Sequence, residues 1–79
     1  MLVKRSLVLS GHRTSVALEP EFWAALGTVA TARGQSLSGL VATVDAARAA
    51  DRPLASALRV LALIEAERDR PGGNGGARD

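Results

Sequence analysis

Residues 13–18, RTSVAL, alternate between polar or small side chains (Arg13, Ser15, Ala17) and apolar or β-branched ones (Thr14, Val16, Leu18). This period of two predicts a half-buried β-strand, which the following Glu19-Pro20 interrupts. A single strand leaves backbone N–H and C=O groups unpaired on both edges, and an isolated hairpin is barely stable. Antiparallel pairing with a second copy across a two-fold axis is the simplest solution.

The segment before this strand allows more than one structure. One straight strand over residues 5–18 would put Leu7 and Leu9 on the polar face, so it is the least favoured. A bulge at Gly11, or a two-residue II′ turn with Gly11 at its first central position, would return both leucines to the apolar face. In that hairpin the facing pairs would be Leu7 with Val16 and Leu9 with Thr14.

Helical spacing begins after the strand. Pro20 suits the first turn of a helix that runs to about Arg33, and Gly34 is the expected C′ residue with a positive φ. Ser36 is a good N-cap for a second helix, which Asp51-Arg52-Pro53 ends. Trp23 should lie half buried beside the apolar stripe of the first helix. That stripe is Phe22, Leu26, Val29 and Ala30, and the second is Leu37, Leu40, Val41, Val44 and Ala47.

A third helix is predicted from about Leu54 to Arg68. Its inward positions are Leu54, Leu58, Leu61 and Ile64. The stretch RVLALIEAE is apolar on more than one face, which suggests contact with a partner.

Composition excludes several classes of protein. The chain has 79 residues, no Cys and one His, so disulfides, thiolate ligands and a histidine-based catalytic group have no support. We therefore expect no catalytic residue, no metal site, no cofactor and no enzyme activity. No stretch approaches the roughly 20 apolar residues of a membrane helix, and none resembles a signal peptide, so we expect a cytoplasmic protein without a membrane partner.

Charge is unevenly distributed along the chain. Residues 1–18 carry Lys4, Arg5 and Arg13 and no acidic residue, whereas all eight Asp and Glu lie in residues 19–79. The N-terminal part of the chain, which contains the predicted strand, is therefore basic. This charge indicates either binding to a polyanion or a terminus that contacts only solvent.

The stretch TSVALEPEFWAALGTVATARGQSLSGLV resembles the ribbon-helix-helix family of bacterial DNA-binding proteins, over about residues 12–50. The stretch KRSLVLSGHRTSVALEPEFWAAL more closely resembles a small subgroup of this family that has GHRTS before the strand. The resemblance implies a mostly α fold with a short N-terminal β-strand, in which two subunits share an antiparallel β-ribbon and helix 3 is an addition. The expected divisions are residues 1–11 (arm or extra strand), 12–69 (ribbon-helix-helix domain with the third helix) and 70–79 (flexible tail).

The resemblance also implies the site. Paired strands would lie in the major groove, where arginine is the usual bidentate reader of guanine, and the helix 2 start would bind a phosphate. Ala17 departs from the family, which often has a long polar residue there. The implied base contacts are Arg13, Ser15 and Ala17, and the implied phosphate contacts are the Ser36 hydroxyl and the Leu37 and Ser38 amides. The N-terminal segment is a second departure from the family, and as a mobile arm it would add Lys4 and Arg5 as phosphate contacts. The implied dimer core is Val16, Leu18, Phe22, Leu26, Leu37, Leu40, Val41 and Val44.

The function predicted from these features is a homodimeric, sequence-specific binder of double-stranded DNA, acting as a transcriptional repressor, with a higher oligomer left open. The alternative is an antitoxin-like module that binds a partner protein through helix 3 and the tail. A third possibility keeps the fold without DNA binding, because a hairpin formed by residues 4–10 would give a four-stranded dimer sheet too wide for ordinary groove entry.

Overall fold

The computed structural model describes residues 1–68 as a β-hairpin followed by three helices. This order confirms the predicted fold class, whereas the flexible tail expected at 70–79 lies outside the described residues. The elements are β1 (Val3–Leu9), β2 (His12–Leu18), α1 (Pro20–Ala32), α2 (Leu37–Ala47) and α3 (Leu54–Arg68).

The hairpin turn consists of Ser10 and Gly11, both with positive φ (51° and 83°). This is the pattern of a type I′ turn, whose twist matches that of the flanking strands. Gly11 therefore takes the second central position, and the prediction that it takes the first is wrong. Leu7 faces Thr14 and Leu9 faces His12, so the predicted pairs are also wrong, by two residues. A shift of two preserves the faces, and both leucines lie on the apolar side.

One face of the hairpin packs on the helices and forms the core with them. Leu7, Leu9, Val16 and Leu18 are buried there, and no polar or charged side chain is buried anywhere in residues 1–68. The helices contribute the rest of the buried cluster, which is Trp23, Leu26, Val29, Ala30, Leu40, Val41, Leu58 and Ala62.

Trp23 differs from its prediction, because it is only 4% exposed, whereas Phe22 is partly buried. The indole N–H donates to the carbonyl oxygen of Val3 at 2.7 Å, and the Arg5 guanidinium lies 5.1 Å from the ring centre. β1 therefore covers a residue that helical spacing alone places at the edge of the stripe. Ile64, predicted to face inward, is 48% exposed.

The α1–α2 connection is short and tightly bonded. Gly34 has a φ of 68°, its N–H donates to the Thr31 carbonyl, and the Gln35 N–H donates to the Ala30 carbonyl. These two bonds form a Schellman motif, and the predicted helix end at Gly34 is confirmed. The Ser36 hydroxyl then accepts the Gly39 N–H at 3.0 Å, which confirms Ser36 as the N-cap of α2.

Candidate nucleic-acid interface

The face of the hairpin opposite the helices carries six side chains, and none of them is acidic. Strand alternation and the observed register define this outer face. Ala17 is partly exposed, and the other five are exposed. The facing pairs are Lys4 with Ala17, Ser6 with Ser15, and Val8 with Arg13.

The two cations of the outer face lie at its opposite ends, with hydroxyl groups between them. Ser6 and Ser15 are the middle pair, and their Oγ atoms are 3.5 Å apart. Lys4 faces Ala17, which lies four residues after Arg13 along β2. This separation corresponds to about 13 Å. The face therefore offers two separated positive charges and a polar centre made of small side chains.

Arg5 does not join this face. Its side chain lies on the helix side of the hairpin, where the guanidinium contacts the Trp23 ring. Lys4 and Arg5, which were predicted to act together as a phosphate-binding arm, thus point to opposite sides of a strand.

The N-terminus of α2 is the second element predicted to contact DNA. Ser36 is exposed and has extended backbone angles, as an N-cap requires. The amides of Leu37 and Ser38 belong to the first helical turn, where no carbonyl lies one turn earlier to accept them. The Ser36 hydroxyl accepts the Gly39 amide and retains its own proton for donation to a ligand.

Gly39 supports this cap, although the sequence-based prediction of the site did not include it. A Cβ at position 39 would lie 3.1 Å from the Ser36 Oγ, so a larger residue would press on the capping hydroxyl. The signal was present in the sequence as a glycine three residues after a capping serine.

Most of the predicted dimer core is buried within a single chain. Val16, Leu18, Leu26, Leu40 and Val41 are at most 5% exposed. Phe22, Leu37 and Val44 are partly buried at the edge of the core, so they retain surface that another molecule can cover.

α3 exposes an apolar stripe that no described residue covers. Val60, Leu63 and Ile64 are 40%, 59% and 48% exposed. A groove of about 360 Å³ runs beside this stripe, between α3 and the part of α1 that includes Phe22 and Ala25.

Arg59, which lines this groove, forms an ion pair with Glu19. Arg59 approaches Glu19 with an N–O distance of 3.0 Å, and its guanidinium lies 5.7 Å from the Phe22 ring centre. The pKa of Glu19 is lowered by a hydrogen bond from its own backbone N–H and by the hydrogen bond from Arg59. The pair therefore joins the start of α1 to α3. Arg48 forms a separate ion pair with Asp45, with an N–O distance of 2.8 Å.

Residues 1–68 contain no cluster of His, Cys, Asp and Glu suited to a metal ion. None of the helices in this range is long and apolar enough to cross a membrane.

A β-hairpin followed by three helices that pack on one of its faces fits the ribbon-helix-helix fold. The chain belongs to the ribbon-helix-helix domain family, whose model matches residues 2–66, and this family is of the DNA-binding, transcription-regulator type. The predicted resemblance to the family is thus confirmed, whereas the subgroup with GHRTS before the strand stays a prediction. The match is longer than the expected 12–50, so β1 and most of α3 belong to the matched domain. No curated protein and no solved structure matches the chain.

Proposed function

We propose that the chain is a homodimeric, sequence-specific DNA-binding protein that acts as a transcriptional repressor in the bacterial cytoplasm. The observation that carries this proposal is the outer face of the hairpin, which is exposed, contains Lys4 and Arg13, and has no acidic residue. A β-ribbon fits the major groove, and cations at its two ends would meet phosphates or guanine edges.

Four side chains of the outer face have distinct roles in this proposal. Arg13 reads a guanine through two hydrogen bonds, and Ser15 donates or accepts at a neighbouring base. Ala17 contributes at most a contact with a thymine methyl group. Lys4 binds a phosphate. Arg5 is better explained as a partner of the Trp23 ring, and it has no role in the proposed interface.

The α2 N-terminus supplies a phosphate site that sets the position of the protein on the duplex. The Leu37 and Ser38 amides and the Ser36 hydroxyl are three donors at the positive end of a helix dipole. Such contacts orient a protein without reading sequence, so specificity rests on Arg13 and Ser15.

Dimer formation follows from the unpaired hydrogen-bonding groups at the hairpin edges and from the partly exposed Phe22, Leu37 and Val44. A dimer presents two copies of the reading face to a two-fold symmetric operator. Occupying that operator would block the polymerase sterically, which is the proposed mechanism of repression.

The test is selection of a preferred duplex from a random pool, followed by affinity measurements on Arg13→Ala and Arg5→Ala. Removal of the Arg13 side chain should weaken the free energy of DNA binding by about 1–3 kcal/mol and relax the sequence preference at one base pair. Arg5→Ala removes the same charge from the opposite face and should change neither property by as much. Unchanged affinity and preference in Arg13→Ala would show that the reading face is assigned wrongly.

A second candidate function is an antitoxin-like module, and the exposed stripe of α3 favours it. Val60, Leu63 and Ile64 would bind an apolar surface of a partner protein, such as a small toxin. Replacing Leu63 and Ile64 with lysine should abolish co-purification with that partner and leave DNA affinity intact. Co-purification that survives the double substitution would exclude α3 as the binding surface.

A further inference from the structure

A second groove lies between the end of α2 and α3, and Val60 borders both it and the groove between α1 and α3. Its volume is about 520 Å³, within the range of roughly 300–1,000 Å³ that is typical of small-molecule sites. Ala47 and Ala57, one on each helix, line it with small methyl side chains, and Leu61 and Ile64 add apolar surface. The groove is therefore large and apolar enough to hold the hydrocarbon part of a ligand.

The charged side chains that line this α2–α3 groove all have the same sign. They are Arg33, Arg48 and Arg52, and no Asp or Glu of residues 1–68 lines the groove with them. The groove between α1 and α3 differs, because Glu21 and Arg59 both line it. A concave surface lined by one sign of charge attracts the opposite charge, so the α2–α3 groove favours an anion.

Two of the three guanidinium groups are held in place by bonds to neighbouring residues. Arg48 donates through Nε to Asp45 at 2.8 Å and through Nη1 to the Arg52 carbonyl oxygen at 2.8 Å. Arg33 donates through Nη2 to Glu65 at 3.1 Å. A guanidinium has five N–H donors, so both groups retain donors after these bonds form. The groove thus offers fixed donors to an anion.

Arg52 supplies the charge that these carboxylates do not neutralise. Among residues 1–68 it belongs to no ion pair, and its Nη1 donates to a neutral group, the Ser56 Oγ, at 3.4 Å. A guanidinium matches a carboxylate in shape as well as in charge, because its planar fork can donate two parallel hydrogen bonds. Recognition of an anion in this groove therefore depends most on Arg52.

Simpler ligands would satisfy only one of the two properties of the groove. Inorganic phosphate would leave its apolar surface uncovered, including Val60 and Ile64, which are 40% and 48% exposed. A neutral hydrocarbon would cover that surface and leave the guanidinium groups without an anion. A small molecule with a carboxylate at one end of a hydrocarbon chain satisfies both.

We propose that the α2–α3 groove binds a small amphiphilic carboxylate. Its carboxylate accepts hydrogen bonds from Arg48 and Arg52, and its hydrocarbon chain lies along Ala57, Leu61 and Ile64. This site is independent of the proposed function, because none of the residues assigned to DNA contact lines the groove.

Three probes with the same hydrocarbon chain and different head groups test the proposal, namely decanoate, decanol and decyltrimethylammonium. Each is titrated into the isotope-labelled full chain below the concentration at which it forms micelles, and amide NMR shifts report the affinity and the place of binding. Decanoate should shift the amides around Leu61 and bind about tenfold or more tightly than decanol, which forms no charge-assisted hydrogen bond. Decyltrimethylammonium should bind more weakly than either.

Two pairs of variants locate the site. Ala57→Leu fills the α2–α3 groove and should abolish decanoate binding, whereas Ala25→Leu, the matched change in the other groove, should leave it intact. Arg52→Gln should weaken decanoate binding by about tenfold, whereas Arg59→Gln, a change at an arginine of the other groove, should not. Circular dichroism shows whether each variant is folded. Arg52 is exposed, so Arg52→Gln decides the matter even where Ala57→Leu does not fold.

Equal affinity for the three probes would overturn the proposal and favour an apolar protein partner on this face. Shifts confined to the surroundings of Ala25, or unchanged decanoate affinity in Arg52→Gln, would also overturn it. Absence of decanoate binding would do the same, whatever the affinity of the chain for DNA. Decanoate binding at this groove by a chain without DNA affinity would overturn only the proposed function.

Discussion

The indole N–H of Trp23 donates a 2.7 Å hydrogen bond to the carbonyl oxygen of Val3, twenty residues earlier in the chain. The Arg5 guanidinium lies over the same ring. Together these contacts hold the start of β1 against α1. The N-terminal segment is therefore a strand with fixed faces, and Lys4 has a defined position on the outer face of the hairpin.

Replacing Trp23 with phenylalanine should lower the free energy of unfolding by about 1–3 kcal/mol. The change removes the indole donor to the Val3 carbonyl and shrinks a buried residue. Urea unfolding followed by circular dichroism measures the effect. Arg5→Gln is the control, because it removes only the cation over the Trp23 ring. It should lower the free energy of unfolding by about 0.5–1 kcal/mol. Equal stability of Trp23→Phe and the native chain would show that the indole does not anchor β1.

Alanine at two glycines should change stability in opposite directions. Gly11 has a φ of 83°, where a Cβ costs about 1–2 kcal/mol, so Gly11→Ala should destabilise the hairpin. Gly27 lies inside α1 with open space where a Cβ would be, so Gly27→Ala should stabilise the protein by about 0.5–1 kcal/mol. Chemical denaturation gives both values. If both variants lose stability, the loss in Gly11→Ala cannot be attributed to the positive φ of Gly11 in the I′ turn.

Stability should fall in acid through Glu19. Its pKa lies below the ordinary value of 4.5, because its own backbone N–H and then Arg59 favour the carboxylate. The folded chain therefore binds fewer protons than the unfolded chain just below pH 4.5. The stabilising contribution is complete above that pH and is lost as pH falls through the folded pKa.

Thermal unfolding of the native chain and of Glu19→Gln over acidic and neutral pH tests this linkage. The native chain should have the higher Tm near neutral pH, and the difference should shrink in acid below pH 4.5. Glu21→Gln, a change at another glutamate of the same helical turn, is the control. A Tm difference between native and Glu19→Gln protein that does not vary with pH would rule out this effect.

Two substitutions at Ser36 separate its capping role from its proposed phosphate role. Ser36→Ala removes the acceptor for the Gly39 amide and should cost about 0.5–2 kcal/mol of stability. Ser36→Asp keeps an N-cap acceptor, so stability should be preserved, but its carboxylate would repel a phosphate and weaken DNA binding. Denaturation and duplex-binding measurements on both variants are required. Full DNA affinity in Ser36→Asp would remove the α2 N-terminus from the interface.

Local signals in the sequence were sufficient for most of the helical part of the fold. Pro20, Gly34 and Ser36 act within one turn of their own positions, and the structure has them at a helix start, a helix end and an N-cap. The third helix begins at its predicted residue, Leu54, directly after Pro53.

The errors concern the type of the hairpin turn and contacts between distant residues. Two-residue turns of types I′ and II′ both accept glycine, so Gly11 alone did not show that Ser10 also has a positive φ. Burial of Trp23 depends on β1, which the periodicity of α1 does not reveal. The same strand separates Lys4 from Arg5, and their predicted common role depended on the segment being an arm.

Binding of the dimer to duplex DNA of random sequence, measured against salt concentration, tests the central claim most directly. The logarithm of the affinity should fall linearly with the logarithm of salt concentration, because phosphate contacts release counterions. Lys4→Ala should reduce the magnitude of that slope by about 1 for each phosphate that Lys4 neutralises, whereas Arg5→Ala on the opposite face should leave it nearly unchanged. A folded dimer with no affinity for DNA even at low salt would contradict the proposed function.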